Sequence, residues 1–320
     1  MALQTPWGEL TVSDAHVHFF SHRFFAALVS QKNAAQINAA GKNVAQKQLS
    51  VESLAPLLDW QLPPEDPALL AQDWVRELDR HGVQRAVLIA SVPGDAESVI
   101  AAVRNHPQRF FGYMMVNPLA ADCLPSLRPA LQSGHMHGLC LFPAMHRYSL
   151  HDERVTALLD AAASSGAVVF VHCGVLSVGV RHKLGLPSQF DMRFSNPIDL
   201  HSIALQYPQL RFVVPHFGAG YFREALMLCD LCPNVYLDTS SSNSWMKFEA
   251  AELDLATIFR RALAVTGPRR LLFGTDSSSF PRGWNAEVFE MQAKALRAIG
   301  ASEETARLIF NENLQQLFTR

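Results

Sequence analysis

Residues 10–20 read LTVSDAHVHFF, a β-branched and apolar run that ends in two histidines one residue apart. Side chains at i and i+2 leave an extended strand on the same face, so His16 and His18 should project side by side. That arrangement suits two imidazoles gripping one metal ion. The same spacing recurs in GHMHG, at His135 and His137, so spacing alone decides nothing. What decides is where each pair falls in the fold.

Seven later runs share the strand-like character of the first: VQRAVLIAS, FFGYMMVN, GLCLFP, AVVFVHCG, RFVVPHFG, NVYLDTS and RLLFGTD. Segments of helical period separate them, including 72–81, 96–106, 152–164, 196–207, 221–229, 252–264, 286–298 and 302–318. Strands apolar enough to be buried on both faces, alternating with helices, imply a parallel sheet covered by helices. Eight such units predict an α/β fold, one (β/α)8 barrel (a TIM barrel) over residues 1–320, rather than an open doubly wound sheet. No glycine fingerprint for a dinucleotide follows the first strand. Residues 20–71 are far too long for an ordinary βα loop. They begin Ala-, Gln- and Asn-rich and end with prolines, LPPEDP. They read as an insertion over the barrel mouth, either a lid or a dimer-forming excursion.

Of the 320 residues, 49% are apolar and 18% charged, which describes a compact globule. A formal charge of -2 gives no electrostatic case for nucleic acid or an anionic membrane as partner. No apolar stretch is long enough to span a bilayer, and MALQTPWGEL lacks the pattern of a signal peptide. Five cysteines without framework spacing fit a reducing compartment, so a cytoplasmic protein is expected. CDLC, residues 229–232, has zinc or redox spacing, but no second pair completes it and it ends a helix. Two small buried residues are the better reading.

In such barrels the chemistry sits at the C-terminal ends of the strands. His16 and His18 end the first strand, whereas His135 and His137 precede the fourth and belong to the opposite, stabilising face. The same rule selects His172 at the end of the fifth strand, His216 at the end of the sixth and Asp276 at the end of the eighth. Four histidines and one aspartate converging on one mouth predict a metal site.

The motifs DAHVH, VHCG, SNPIDL, PHFG and FGTDS, in this order over almost the whole chain, resemble the amidohydrolase superfamily. They are most similar to its amidohydrolase-2 group, which includes aminocarboxymuconate-semialdehyde and resorcylate-type decarboxylases and pyrone dicarboxylate lactonases. The resemblance implies a (β/α)8 barrel with a divalent metal, usually zinc, held by His16, His18, His172 and Asp276. It makes His216 the residue that polarises water or substrate. Two-metal relatives carry a bridging lysine on the fourth strand. Cys140 stands there instead, so one ion is expected, with Cys140 a small buried residue rather than a ligand. Asp14 is read as sharing a face with His16 and His18, either orienting a ligand from behind or bonding within the barrel.

A divalent ion at such a site would make a water nucleophilic near neutral pH. Asp276 and His216 would then serve as catalytic residues, Asp276 moving the proton and His216 holding the water or the developing oxyanion. A hydrolase for a small carboxylated ester, lactone or amide is expected. A metal-dependent decarboxylase of an aromatic or unsaturated acid is the alternative. Arg181, His182 and Arg282 follow the fifth and eighth strands and are candidates for binding a substrate carboxylate. Phe19, Phe280 and Trp284 flank the metal motifs, as pocket wall or as plain packing. The expected partner is a small organic acid, with a homodimer left open.

Overall fold

The computed structural model describes residues 2–40, 48–175, 178–187, 190–241, 243–249 and 252–319. Eight strands form one parallel sheet: β1 Val12–Phe19, β2 Val83–Ala90, β3 Phe110–Val116, β4 Gly138–Leu141, β5 Val168–Val171, β6 Phe212–Val214, β7 Val235–Asp238 and β8 Leu271–Leu272. Each pairs with its neighbours in chain order. The ring closes where β1 meets the chain after β8. Ala15 N–H donates to Phe273 C=O (2.8 Å), Asp276 N–H to His16 C=O (3.0 Å) and His18 N–H to Ser277 C=O (2.7 Å). The fold is a (β/α)8 barrel, as the alternation predicts. β8 is shorter than RLLFGTD suggests because the backbone leaves the sheet after Leu272. Phe273 N–H bonds instead to Ile309 C=O (3.1 Å).

Side chains alternate between two apolar layers. Val17, Leu88, Met114, Leu139, Val169 and Val214 face the surrounding helices. Val87, Ile89, Tyr113, Met115, Phe170 and Val213 fill the barrel, with Leu314 and Leu317 closing its floor. Each such side chain is worth about 1.5–3 kcal/mol when fully buried. A one-residue slip would exchange the layers, so burial fixes the register.

β1 breaks the alternation once. Asp14 pairs with Ala86 and Val17 with Leu88, so three steps on β1 match two on β2. This bulge resets the parity of the strand. His16 reaches inward, its ring 5.2 Å from Phe170. Asp14 turns to the outer layer, where Trp284 Nε1–H donates to its Oδ2 at 2.8 Å. Asp14 therefore does not share a face with His16 and His18; the contrary expectation assumed an unbroken period of two.

Several boundaries move for local reasons. The N-terminal residues Leu3–Thr5 and Gly8–Leu10 form an antiparallel hairpin ahead of β1. The helix expected at 72–81 spans Pro67–Arg80, because Asp66 caps it by accepting Ala68 N–H at 2.9 Å. Segment 196–207 is a 3-10 turn, Pro197–Leu200, followed by the helix His201–Gln206. The last helix is interrupted by a π turn at Leu308–Glu312, which contains the carbonyl that accepts from Phe273.

The insertion contains the helix His22–Ala40 and the short turns Glu52–Leu54 and Ala55–Leu58. Its residues 41–47 lie outside the described residues. Phe24, Phe25, Leu28, Leu54 and Leu58 cluster with Val180, Leu184 and Leu186 from the segment after β5. That apolar contact clamps the insertion to the β5 side of the mouth. Among the described residues no helix is long and apolar enough to cross a membrane.

His135 and His137 lie at the other end of the barrel, just before β4. Gly112 N–H donates to His137 Nδ1 (3.1 Å), and the ring meets Phe111 edge-on with centroids 5.1 Å apart. Burial pushes the His137 pKa from 6.5 down to about 4. Its neutral form therefore stabilises the fold fully above pH 6.5, and that contribution is lost as the pH falls towards 4, since the unfolded chain is protonated first. Asparagine at this position keeps an acceptor for Gly112 but does not titrate. His137→Asn should thus flatten the decline in unfolding free energy between pH 6.5 and 4, followed by urea denaturation. Parallel slopes for the two proteins would contradict this assignment.

Candidate metal centre

At the C-terminal mouth three donors meet. His16 Nε2 and His18 Nε2 are 3.4 Å apart. Asp276 Oδ1 lies 3.6 Å from the first and 3.2 Å from the second. Among the described residues these are the donors whose atoms all lie within 4.8 Å of one another. A tetrahedral ion with bonds near 2.1 Å holds its donors about 3.4 Å apart. The trio has that spacing.

The far sides of both rings are fixed. His16 Nδ1–H donates to Asp238 Oδ2 (2.7 Å) at the end of β7. His18 Nδ1 lies 2.7 Å from Ser91 Oγ at the end of β2, and that hydroxyl donates to Ile89 C=O (2.9 Å). The serine oxygen must therefore accept from His18. With Nδ1 committed as a donor on each ring, Nε2 is the nitrogen left facing Asp276, where a cation can take the place of a proton on its lone pair. The charge balance agrees. Burial opposes protonation of His16, yet the charge and hydrogen bond of Asp238, with Asp276 behind them, raise its pKa to about 9. Burial also works against the Asp276 carboxylate, but the His18 hydrogen bond and the nearby His16 hold its pKa well below the usual range. A pocket that draws a proton onto a buried imidazole is built for a cation, and the donor set fits a divalent metal.

Backbone geometry serves this convergence. His216 and Asp276 take φ values of 55° and 59°, left-handed conformations that cost non-glycine residues about 1 kcal/mol or more. Gly274 lets the chain after β8 approach, since a Cβ there would sit 2.9 Å from His16 Cβ and 3.0 Å from Ser240 Cβ. Gly174, after β5, lies so close to the His216 turn that its Cβ would meet two carbonyl oxygens at 2.3 Å.

His216 is buried beside the trio, its ring centroid 5.1 Å from that of His16. Its Nδ1 is 3.2 Å from Ser240 C=O and 2.9 Å from Ser240 Oγ. The carbonyl can only accept, which assigns the proton to Nδ1 and leaves Nε2 with a lone pair. Burial lowers the His216 pKa, outweighing the attraction of Asp276, so the ring is neutral. His172 lies beyond, 5.2 Å from the His216 ring and stacked on Phe142. It lines the same cavity but is not part of the close trio. Burial depresses its pKa strongly.

The cavity over these groups measures about 440 Å3 and is walled by Phe20, Phe24, Trp60 and Phe142. Phe20 stacks on Phe24 at 4.0 Å with the planes 5° apart. Arg282 and Lys183 reach it from its rim. Arg282 Nη2 donates to Ser278 Oγ (3.1 Å), and Lys183 Nζ to Leu58 C=O (2.9 Å). Two other candidates point elsewhere: His182 is exposed, and Arg181 donates to Gln31 Oε1 (2.5 Å) and Pro187 C=O (3.1 Å) in a neighbouring cavity. Phe19 and Trp284 are buried in the outer core, and Phe280 packs on Trp74. Cys140 is buried inside the barrel, its thiol pKa pushed far up by burial. Cys229 and Cys232 are likewise buried in the core, with thiol pKa values raised by burial.

Asp238, Ser91 and Ser240 were not singled out in the sequence. Asp238 carried a usable signal, an acid closing the apolar run NVYLDTS at a strand end. Asp238→Asn should weaken divalent metal binding by about 10–100-fold, the usual cost of losing a carboxylate behind a ligating imidazole. His172→Ala should also reduce bound metal sharply. Competition with a chromophoric chelator measures both, and unchanged affinity in either variant would remove that residue from the centre.

Comparison with known proteins adds the lineage. Residues 13–319 match the amidohydrolase family. Protein fluG of Emericella nidulans is 39% identical over 87 residues, which is 27% of this chain and 10% of that protein's length. The probable 2-pyrone-4,6-dicarboxylic acid hydrolase of Acinetobacter baumannii, with citric acid bound, superposes with a TM-score of 0.59 at 15% identity, over 97% of this chain and 99% of the other. The 5-carboxyvanillate decarboxylase of Novosphingobium aromaticivorans, complexed with manganese and 4-hydroxy-3-methoxy-5-nitrobenzoic acid, gives 0.60 at 15% identity, over 97% and 95%. At such identities the superpositions speak for the fold, and the match along nearly the whole sequence speaks for descent: the chain belongs to the amidohydrolase family.

Proposed function

We propose that the protein is a metal-dependent hydrolase of a small carboxylated ester or lactone with a flat, unsaturated body. Its ligands would be the trio His16, His18 and Asp276, with His172 as a fourth. A divalent ion bound there would supply Lewis-acid polarisation and lower the pKa of a water enough for it to lose its proton and attack a carbonyl. The remaining chemistry belongs to the chain. Neutral His216, with its proton on Nδ1, offers the Nε2 lone pair to take a proton from the attacking water and to return it to the alcohol oxygen as the acyl–oxygen bond breaks. Asp276 binds protons too weakly to compete for it, which suits its carboxylate to holding the water by a hydrogen bond. The stacked face of Phe20, Phe24 and Trp60 matches a planar substrate, and Arg282 is placed to bind its carboxylate. The observation that carries the reading is the His216–Ser240 contact, because it sets a base rather than an acid beside the trio.

Decarboxylation is the second reading, favoured by the same aromatic wall. Loss of carbon dioxide needs a conjugated system to receive the electron pair, and a flat pocket selects such acids. Both related enzymes named above act, by name, on carboxylated rings, one as a hydrolase and one as a decarboxylase. Decarboxylation, however, requires a proton donor to carbon, which His216 in its neutral form does not supply.

Two measurements test this account. His216→Ala should retain its metal while kcat falls by about two orders of magnitude or more. Loss of metal together with activity would make His216 a ligand instead. The metal-loaded protein should also release acid, and no carbon dioxide, from a panel of pyrone lactones, aryl esters and phenolic acids. Carbon dioxide without hydrolysis would replace the first reading by the second.

A further inference from the structure

The reaction cavity adjoins a second chamber of about 450 Å3. Phe24, Ser91, Met115, Met145 and Val178 line both spaces, so the two share a wall. Two of these residues are methionines, whose unbranched side chains repack readily around a ligand. The second chamber lies between the insertion helix His22–Ala40 and the segment that follows β5. Its lining is largely apolar, and Arg181 is the one charged residue among its described walls. His146, on another wall, is kept neutral by burial, with a pKa of about 4. The Arg181 guanidinium is half-buried and donates to two neutral acceptors, Gln31 Oε1 and Pro187 C=O. A guanidinium whose partners are both neutral keeps an attraction for a carboxylate.

From the shared wall and the placement of Arg181 we infer that the second chamber is a subsite for an apolar arm ending in a carboxylate. The reacting end of the molecule occupies the cavity over His16, His18 and Asp276. Its arm passes Met115 and Met145, and its terminal carboxylate pairs with Arg181. This inference rests on the proposed reaction site and narrows its substrate class to elongated acids with a second carboxylate. The cavity over the trio takes the planar, reacting part, and the chamber measures the arm.

Calorimetry on the zinc-loaded protein tests the subsite without relying on turnover. The probes are benzoate, which fits the reaction cavity alone, octanoate and octanedioate. Octanedioate should bind about tenfold more tightly than octanoate, the equivalent of one charge-assisted contact. Arg181→Met should abolish that difference while leaving octanoate and benzoate unchanged. Ala27→Trp fills the second chamber from a position that lines only that space, and should weaken both long acids while sparing benzoate. Equal affinity for the two long acids in the unmodified protein would overturn the subsite, as would an Arg181→Met variant that weakens octanoate as much as octanedioate. Benzoate that fails to bind any of the three proteins, with the octanedioate gain intact, would instead remove the reaction-site reading and leave the subsite standing.

Discussion

The contact between His16 and Asp238 organises the mouth of this barrel. Both side chains are almost wholly buried, at 1% and 0% exposure, and they meet at 2.7 Å. An unpaired carboxylate in that position would cost several kcal/mol, roughly the range seen when a buried ion pair loses one partner. Here it is met by His16 and by Ser240 N–H at 2.6 Å, which keeps it ionised despite its burial. The bulge in β1 makes the contact possible, because it brings His16 to the inner face together with His18. A regular strand would have spent the inner position of the sequence on a different residue.

Ser240 extends that contact to His216. Its Oγ lies 3.0 Å from His16 Nδ1 and 2.9 Å from His216 Nδ1, so the two imidazoles hang from one scaffold. Their surroundings then separate their charges. Asp238 favours positive charge at His16, whereas His216, without a carboxylate of its own, is left neutral. Two histidines with adjacent rings thus differ in proton affinity because one faces an aspartate and the other a serine and a carbonyl. The aromatic wall supplied by the insertion gives this polar group an apolar, flat-sided enclosure.

The barrel was legible because it depends on order and burial alone, and eight apolar runs separated by helical segments leave few alternatives. His16, His18 and Asp276 were legible for a related reason, since strand polarity says which ends face the mouth. The same rule also set His135 and His137 aside. Local geometry was harder to read. The β1 bulge leaves no mark in the apolar pattern, so Asp14 was assigned to the wrong face. Asp238 followed the rule that selected Asp276, but an acid before a turn is common enough to hide its role. Arg181, His182 and Lys183 are successive residues of the short helix Gly179–Lys183 and therefore point in different directions. Only Lys183 reaches the reaction cavity, while Arg181 faces the adjoining chamber and His182 the surface. Nearness to a strand end in sequence could not separate them. Phe20, Phe24 and Trp60 belong to the insertion, and their place in the wall follows from tertiary contacts that no periodicity records.

X-ray absorption at the metal edge of protein loaded with one equivalent of zinc tests the central claim most directly. The account predicts a first shell of nitrogen and oxygen at about 2.0–2.1 Å, with the outer-shell scattering of more than one imidazole. A sulfur neighbour at about 2.3 Å would move the ion to a cysteine. An all-oxygen shell without imidazole scattering would contradict the site altogether.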